Sequence, residues 1–164
     1  MSPDPNPPET ASELRFRLLG AWQLESYKSL PVSPTSLSKP TYPMTKNVQG
    51  MILYTADGYM SAQLSIPGQK HFRVEEASES QWAEAAKRHF GYCGPYYITE
   101  EEGKVRLRHG FRLANRPNLV KEIQIRAWRF EDEGKSLVLS NEEPEEVKVC
   151  SKGRFVRSSL LSVL

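Results

Sequence analysis

The chain has 164 residues, 38% hydrophobic and 10% aromatic, which is enough for one domain with a real core. Its 22 basic and 20 acidic residues leave a net charge of +2, too small for nucleic-acid or membrane-surface binding to be its main business, and no stretch approaches the ~20 apolar residues of a membrane span. The Pro-rich start, Met1 to Pro8, lacks the basic and apolar runs of a secretory signal. Residues 1–10 are therefore expected to form a disordered tail ahead of one domain over 11–164, in the cytoplasm, with Cys93 and Cys150 as free thiols.

Thr10-x-x-Glu13 has the spacing of a capping box, and the run from Leu14 to Leu19 closes at Gly20, so a short helix opens the fold. A strand follows, with Trp22, Leu24 and Ser26 on one face and Gln23, Glu25 and Tyr27 on the other. From Pro31 to Pro43 proline and serine dominate, which predicts a long irregular loop, either a lid over one end of the fold or a passive spacer. Gly50 to Leu64 gives the strongest strand signal: two alternating runs about Asp57-Gly58, read as a two-residue hairpin turn with Ala56 opposite Tyr59. That register collects Met51, Leu53, Met60, Ala62 and Leu64 on a packing face. It puts Ile52, Tyr54, Tyr59, Ser61 and Gln63 on the other, whose polar tips suit a cavity wall as well as a solvated face.

Pro67-Gly68 breaks the strand, and Ser78-x-x-Gln81 begins a helix to about Phe90, with Trp82, Ala85, Ala86 and His89 as its buried face. Tyr96 to Thr99 and Lys104 to Leu113 are strands around an acidic turn ending in Gly103. In the second, Val105, Leu107, His109, Phe111 and Leu113 point inward, while Arg106, Arg108 and Arg112 form an outward basic row. From Leu119 to Phe130 the pattern conflicts: Ile123, Ile125 and Ala127 claim one side and Trp128 and Phe130 the other, which a bulge would resolve. Lys135 to Ser140 follows, and a last pair, Val147 to Ser151 and Arg154 to Leu164, is read as turning at Lys152-Gly153. About eight to nine antiparallel strands with one lateral helix predict an all-β, single up-and-down barrel, because closure removes exposed edges.

Gly20-Ala-Trp22 after a short helix, the Gly50 to Leu64 hairpin, Tyr92-Cys-Gly-Pro-Tyr96 and the run from Asp132 to Ser140 together resemble the lipocalin-like domain family of short intracellular proteins of bacteria and fungi. The resemblance covers about Leu18 to Ser140. It implies a lipocalin-like barrel with an internal cavity, its closed end plugged by the tryptophan of Gly-x-Trp. Barrels similar to it serve secondary metabolism as cofactor-free cyclases and isomerases. The ending from Ser159 to Leu164 departs from the tryptophan and arginines with which relatives close.

His109 is the sharpest chemical candidate, a titratable ring on an apolar inward face. Burial would keep it neutral and able to act as a base near pH 7; the alternative is a core histidine satisfied by a neighbouring hydroxyl or carbonyl. Tyr54, Tyr59, Ser61 and Gln63 either add a phenol acid and an amide donor to the cavity or form a half-solvated face. If Arg126 points inward, with Gln124 beside it, its donors suit a carboxylate, an enolate or a polarised carbonyl, and Trp128 can stack on an aromatic ligand; otherwise Arg126 is a surface cation. Tyr92 and Tyr96 contribute hydroxyls or core packing, and Trp22 and Phe111 apolar wall. His71 reads as a loop residue and His89 as structural, and Cys93 lacks the neighbours of a thiol nucleophile. The three histidines are dispersed without metal-ligand spacing, and no nucleotide or phosphate-loop fingerprint is present, so neither metal nor cofactor is expected.

The reading that results is a barrel binding a hydrophobic small molecule, with a homodimer allowed. Within it, a cofactor-free cyclase, isomerase or dehydratase would act on a polyketide- or terpenoid-like intermediate, His109 moving a proton and Tyr54, Gln63 or Arg126 stabilising charge. A non-catalytic carrier or sensor is the alternative, and an interaction module with a packed interior is a third.

Overall fold

A computed structural model describes residues 10–31, 39–141 and 149–157. Helix α1 (Ala11–Leu18) starts at the expected capping box: the Thr10 hydroxyl accepts from the Glu13 amide, and the Glu13 carboxylate accepts from the Thr10 amide at 2.8 Å. Strands β1 (Gly20–Pro31), β2 (Gln49–Tyr54), β3 (Tyr59–Ser65), β4 (His89–Glu101), β5 (Lys104–Gly110), β6 (Leu113–Ala114), β7 (Ile123–Glu131), β8 (Ser136–Asn141) and β9 (Val149–Arg157) follow, with helix α2 (Glu79–Lys87) between β3 and β4.

Eight of these strands pair antiparallel in the ring β1-β2-β3-β4-β5-β7-β8-β9, and β9 returns to β1. The ninth, β6, adds a short ladder to β4. The all-β antiparallel barrel is thus as expected, and no ring strand is left with an open edge. The last segment is different. Lys152-Gly153 is not a turn, because β9 runs straight through it and pairs Gly153 with Tyr27 on one side and Leu139 on the other. A Cβ on Gly153 would lie 2.7 Å from the Phe155 ring, so this glycine marks a close approach within a strand. Parts of four expected elements lie outside the described residues: 1–9 of the tail, 32–38 of the Pro/Ser loop, and 147–148 and 158–164 of the last pair.

The two ends of the barrel are unlike. The turns 55–58, 102–103 and 132–135 close one end, whereas the longer connections 32–48, 66–88, 111–122 and 142–148 leave from the other. α1 seals the tight end with Leu14 and Leu18, both fully buried. Trp22 is fully buried beneath it, its indole donating to the Leu18 carbonyl at 2.8 Å. Arg157, at the end of β9, lies 4.5 Å over the Trp22 ring and donates to the carbonyls of Arg17 at 2.6 Å and Leu19 at 3.2 Å. Helix, first strand and last strand are thereby locked together at a packed plug.

α2 begins at the expected Ser78 and Gln81 capping box but buries none of its residues. Trp82 is 47% exposed and meets the Phe72 ring edge-on at 5.2 Å, and His89 opens β4 instead of belonging to the helix. The apolar stripe fails as a core face because the helix spans a connection outside the ring.

Between β5 and β6 the chain carries one extra residue along the same edge of β4 and passes close to Gly94, where a Cβ would lie 2.1 Å from the Gly110 carbonyl oxygen and 2.8 Å from the Arg112 amide. Gly94→Ala is therefore expected to cost about 3 kcal/mol of overpacking. Gly103, at φ +74° with open space around it, should cost only about 1 kcal/mol as alanine. Denaturant unfolding of both variants checks this, and equal losses would contradict the close approach at Gly94.

Candidate functional site

Which residues face the interior depends on the β2–β3 turn. The Thr55 amide donates to the Tyr59 carbonyl at 2.9 Å and the Gly58 amide to the Thr55 carbonyl at 3.2 Å, with Gly58 at φ +94°. The Thr55 hydroxyl bonds the Asp57 carboxylate and accepts from the Tyr59 amide at 3.1 Å. The loop is Ala56-Asp57-Gly58, one residue longer than the two-residue turn expected, and Tyr54 pairs with Met60. A slip of one residue moves a strand's whole inward set to its other face. Ile52, Tyr54, Met60, Ala62 and Leu64 are consequently buried, while Met51, Leu53, Tyr59 and Gln63 are exposed and Ser61 shares their outer face. Tyr59, Ser61 and Gln63 therefore do not line the interior.

Two further strands resolve their facing. On β1 the pairing with β9 shifts between Leu24 and Ser26, a bulge that turns Tyr27 inward with Trp22 and Leu24 and removes Ser26 from that face. β7 needs no bulge. Ile123 and Ile125 are 57% and 36% exposed, and Gln124, opposite His109, and Arg126, opposite Leu107, turn inward together with Trp128 and Phe130. On the chain after β5, Leu113 is 65% exposed instead of inward, because one extra residue between His109 and Leu113 opposite β4 shifts the alternation.

The side chains so placed enclose a cavity of about 200 Å³ in the open half of the barrel. Ala62, Leu64, Phe90, Phe111, Leu119, Leu139 and Phe155 supply apolar wall, and Tyr27, Tyr92, Gln124, Arg126 and Asn141 supply polar groups. The Arg126 guanidinium donates to the Asn141 side-chain oxygen, stands 5.9 Å over the Phe111 ring and lines the cavity together with the Tyr92 phenol. Arg116 adds a second guanidinium, 4.0 Å over the Phe90 ring. Burial pushes the Tyr92 phenol pKa up, and the Arg126 charge opposes that shift. A second depression, of about 330 Å³, lies on the outer face of β2, β3 and β4, among Leu53, Tyr59, Ser61, Cys93 and Arg112. It draws on adjacent strands only, whereas six strands converge on the inner cavity.

His109 and Tyr54 sit below that cavity and do not line it. The Tyr54 hydroxyl is 2.8 Å from His109 Nε2, and the two residues are 2% and 0% exposed. On the cavity side of His109 stands Tyr92, its ring centre 6.4 Å from the imidazole and 4.4 Å from that of Phe111, to which it is tilted by 50°, and both rings line the cavity. Burial, and secondarily the Arg126 charge, holds the His109 pKa well below the usual histidine value, and Nδ1 has no hydrogen-bond partner. Burial likewise raises the Tyr54 phenol pKa. Trp22 and Tyr96 belong to the plug, the Tyr96 hydroxyl donating to the Thr55 carbonyl at 2.9 Å and accepting from Arg15 at 3.3 Å. Trp128 is half-buried on the Arg126 side, opposite Leu139, outside the cavity lining. His71 is exposed.

The lipocalin-like domain model matches residues 19–162. The chain belongs to the lipocalin-like domain family. No curated protein matches it. The match runs past Ser140 through β9, so the closing strand is part of the family's barrel, while the departing ending from Ser159 to Leu164 lies outside the described residues. This lipocalin-like protein accordingly has a fold suited to holding small hydrophobic molecules inside the barrel, and none of its described helices is long and apolar enough to cross a membrane.

Of the cavity lining only Tyr92, Phe111, Gln124 and Arg126 were anticipated as site residues; Tyr27, Phe90, Arg116, Leu119, Asn141 and Gly153 are among those that were not. Phe90 was accessible in principle, since Phe90, Tyr92, Gly94 and Tyr96 alternate and extend β4 back to the end of α2. Tyr27 depends on a bulge seen only in the pairing of β1 with β9.

The depressed His109 pKa makes stability depend on pH. In the unfolded chain this histidine binds a proton below about pH 6.5, and in the barrel it does not, so the unfolded state gains protons and stability falls as pH drops from about 6.5 towards the lower folded-state value. Wild type is expected to lose up to about 1.4 kcal/mol per pH unit in that window from this group. His109→Gln should lose correspondingly less, as measured by denaturant unfolding at about pH 7.5 and 5.5. Identical losses would contradict a neutral buried His109.

Proposed function

We propose that this lipocalin-like protein binds a small, largely apolar metabolite in the open half of its barrel, oriented by Arg126, Tyr92 and Gln124. The observation that carries this is the convergence of Tyr92 from β4, Gln124 and Arg126 from β7 and Asn141 from β8 on a cavity walled mostly by aliphatic and aromatic side chains. A few fixed polar groups in an apolar pocket are the usual form of a site that binds and orients one molecule. At about 200 Å³ the space is below the ~300 Å³ at which pockets for drug-sized ligands begin, which favours a small ligand or one that projects from the mouth.

A cofactor-free isomerase, cyclase or dehydratase acting on a polyketide- or terpenoid-like intermediate is the second reading, favoured by the Tyr92 phenol and the Arg126 cation sharing the cavity lining. A phenol beside a fixed guanidinium is equipped to exchange a proton while the cation stabilises a developing oxyanion. In this form Tyr92 takes the acid–base role, Arg126 the electrostatic one, and His109 with Tyr54 supports the wall from behind.

Native mass spectrometry of the protein purified from its own organism is expected to find a retained apolar small molecule. Ala62→Phe, which projects a ring into the cavity, should release it while keeping the far-UV spectrum of the folded barrel. Retention by that variant would put the ligand elsewhere. With the molecule identified, Tyr92→Phe is expected to lower any turnover by about 10²-fold or more and His109→Gln by much less; the reverse order would return the proton-transfer role to His109.

A further inference from the structure

Two arginines line the cavity and no carboxylate among the described residues does. Elsewhere on the barrel Arg88 holds Glu84 at 3.0 Å, Arg108 holds Glu101 at 2.9 Å, Arg129 pairs with Glu131, and Arg154 gathers Glu25, Glu131 and Asp132. Arg126 makes no such pair among the described residues. Its hydrogen-bond partner, the Asn141 side-chain oxygen, and the Tyr92 phenol that lines the cavity with it are neutral, and part of its five-donor fork is left unused. A half-buried cation with only neutral partners has lost hydration without gaining a counter-charge, a loss that an anion arriving with the ligand offsets.

We propose that the ligand is a carboxylate with an apolar body. Its charged oxygens are held by Arg126 and the Tyr92 hydroxyl, and its body lies along Leu64, Phe111 and Leu139. Arg116 at the aromatic rim adds a like charge that draws the same sign of ligand towards the mouth. This rests on the binding reading above and adds to it the chemical class of the ligand.

The test compares octanoate with octanamide, which share a tail and differ in charge, by calorimetric titration into the full chain at neutral pH. Octanoate should bind about tenfold more tightly, the factor expected of a charge-assisted hydrogen bond over a neutral one. In Arg126→Gln the preference should vanish, and in Arg126→Lys, which keeps the charge but not the fork, it should shrink and persist. Equal affinities in the wild type, or a preference that survives Arg126→Gln, overturn the carboxylate while leaving the binding cavity standing. Binding of neither compound overturns both. The 142–148 connection, outside the described residues, carries Glu142, Glu143, Glu145 and Glu146; if these already neutralise Arg126, the wild type shows no octanoate preference and the proposal falls. Should Arg126→Gln fail to fold, the wild-type comparison and Arg126→Lys decide the matter.

Discussion

Pairing of β9 with β1 on one side and β8 on the other turns the sheet into a closed ring, and everything about the interior follows from that closure. In an open sheet a residue can face solvent on either side, but in a ring each position is either inside or outside, and the choice alternates along every strand. Local details then acquire large consequences. The single added residue in the β2–β3 loop sends Tyr59, Ser61 and Gln63 outside, and the single added residue on β1 brings Tyr27 inside.

The ends of the ring divide the work. At the tight end, α1, Trp22 and Arg157 form a packed plug whose polar atoms are satisfied by backbone carbonyls. At the other end the core gives way to a cavity. His109 lies between the two regimes, bonded to Tyr54 towards the plug and faced by Tyr92 towards the cavity. Its titration is therefore first a property of the packed half.

Much of the architecture was legible in the sequence because it is written locally. Both capping boxes, the alternation from Val105 to Phe111 and the strand-forming runs of the hairpin depend on residues near one another in the chain. The inward Arg126 and Gln124 were legible as one of two options, decided by the exposure of Ile123 and Ile125. Facing across a turn was not legible, because Asp57-Gly58 serves a two-residue or a three-residue loop equally well and only the Thr55 and Tyr59 bonds choose. Nor was the role of Gly153, since a glycine after a lysine reads as a turn until its neighbours in β1 and β8 are known.

The central claim is that small molecules enter the ring and do not settle on its outer face. Backbone amide chemical shifts recorded by NMR during titration with octanamide test this most directly, because the inner cavity and the outer depression are lined by different residues. Ligand inside the barrel moves the amides of Tyr27, Phe111, Gln124 and Gly153 and leaves Leu53 and Tyr59 in place. Shifts concentrated at Leu53, Tyr59, Ser61 and Arg112, with the inner set unmoved, would contradict it.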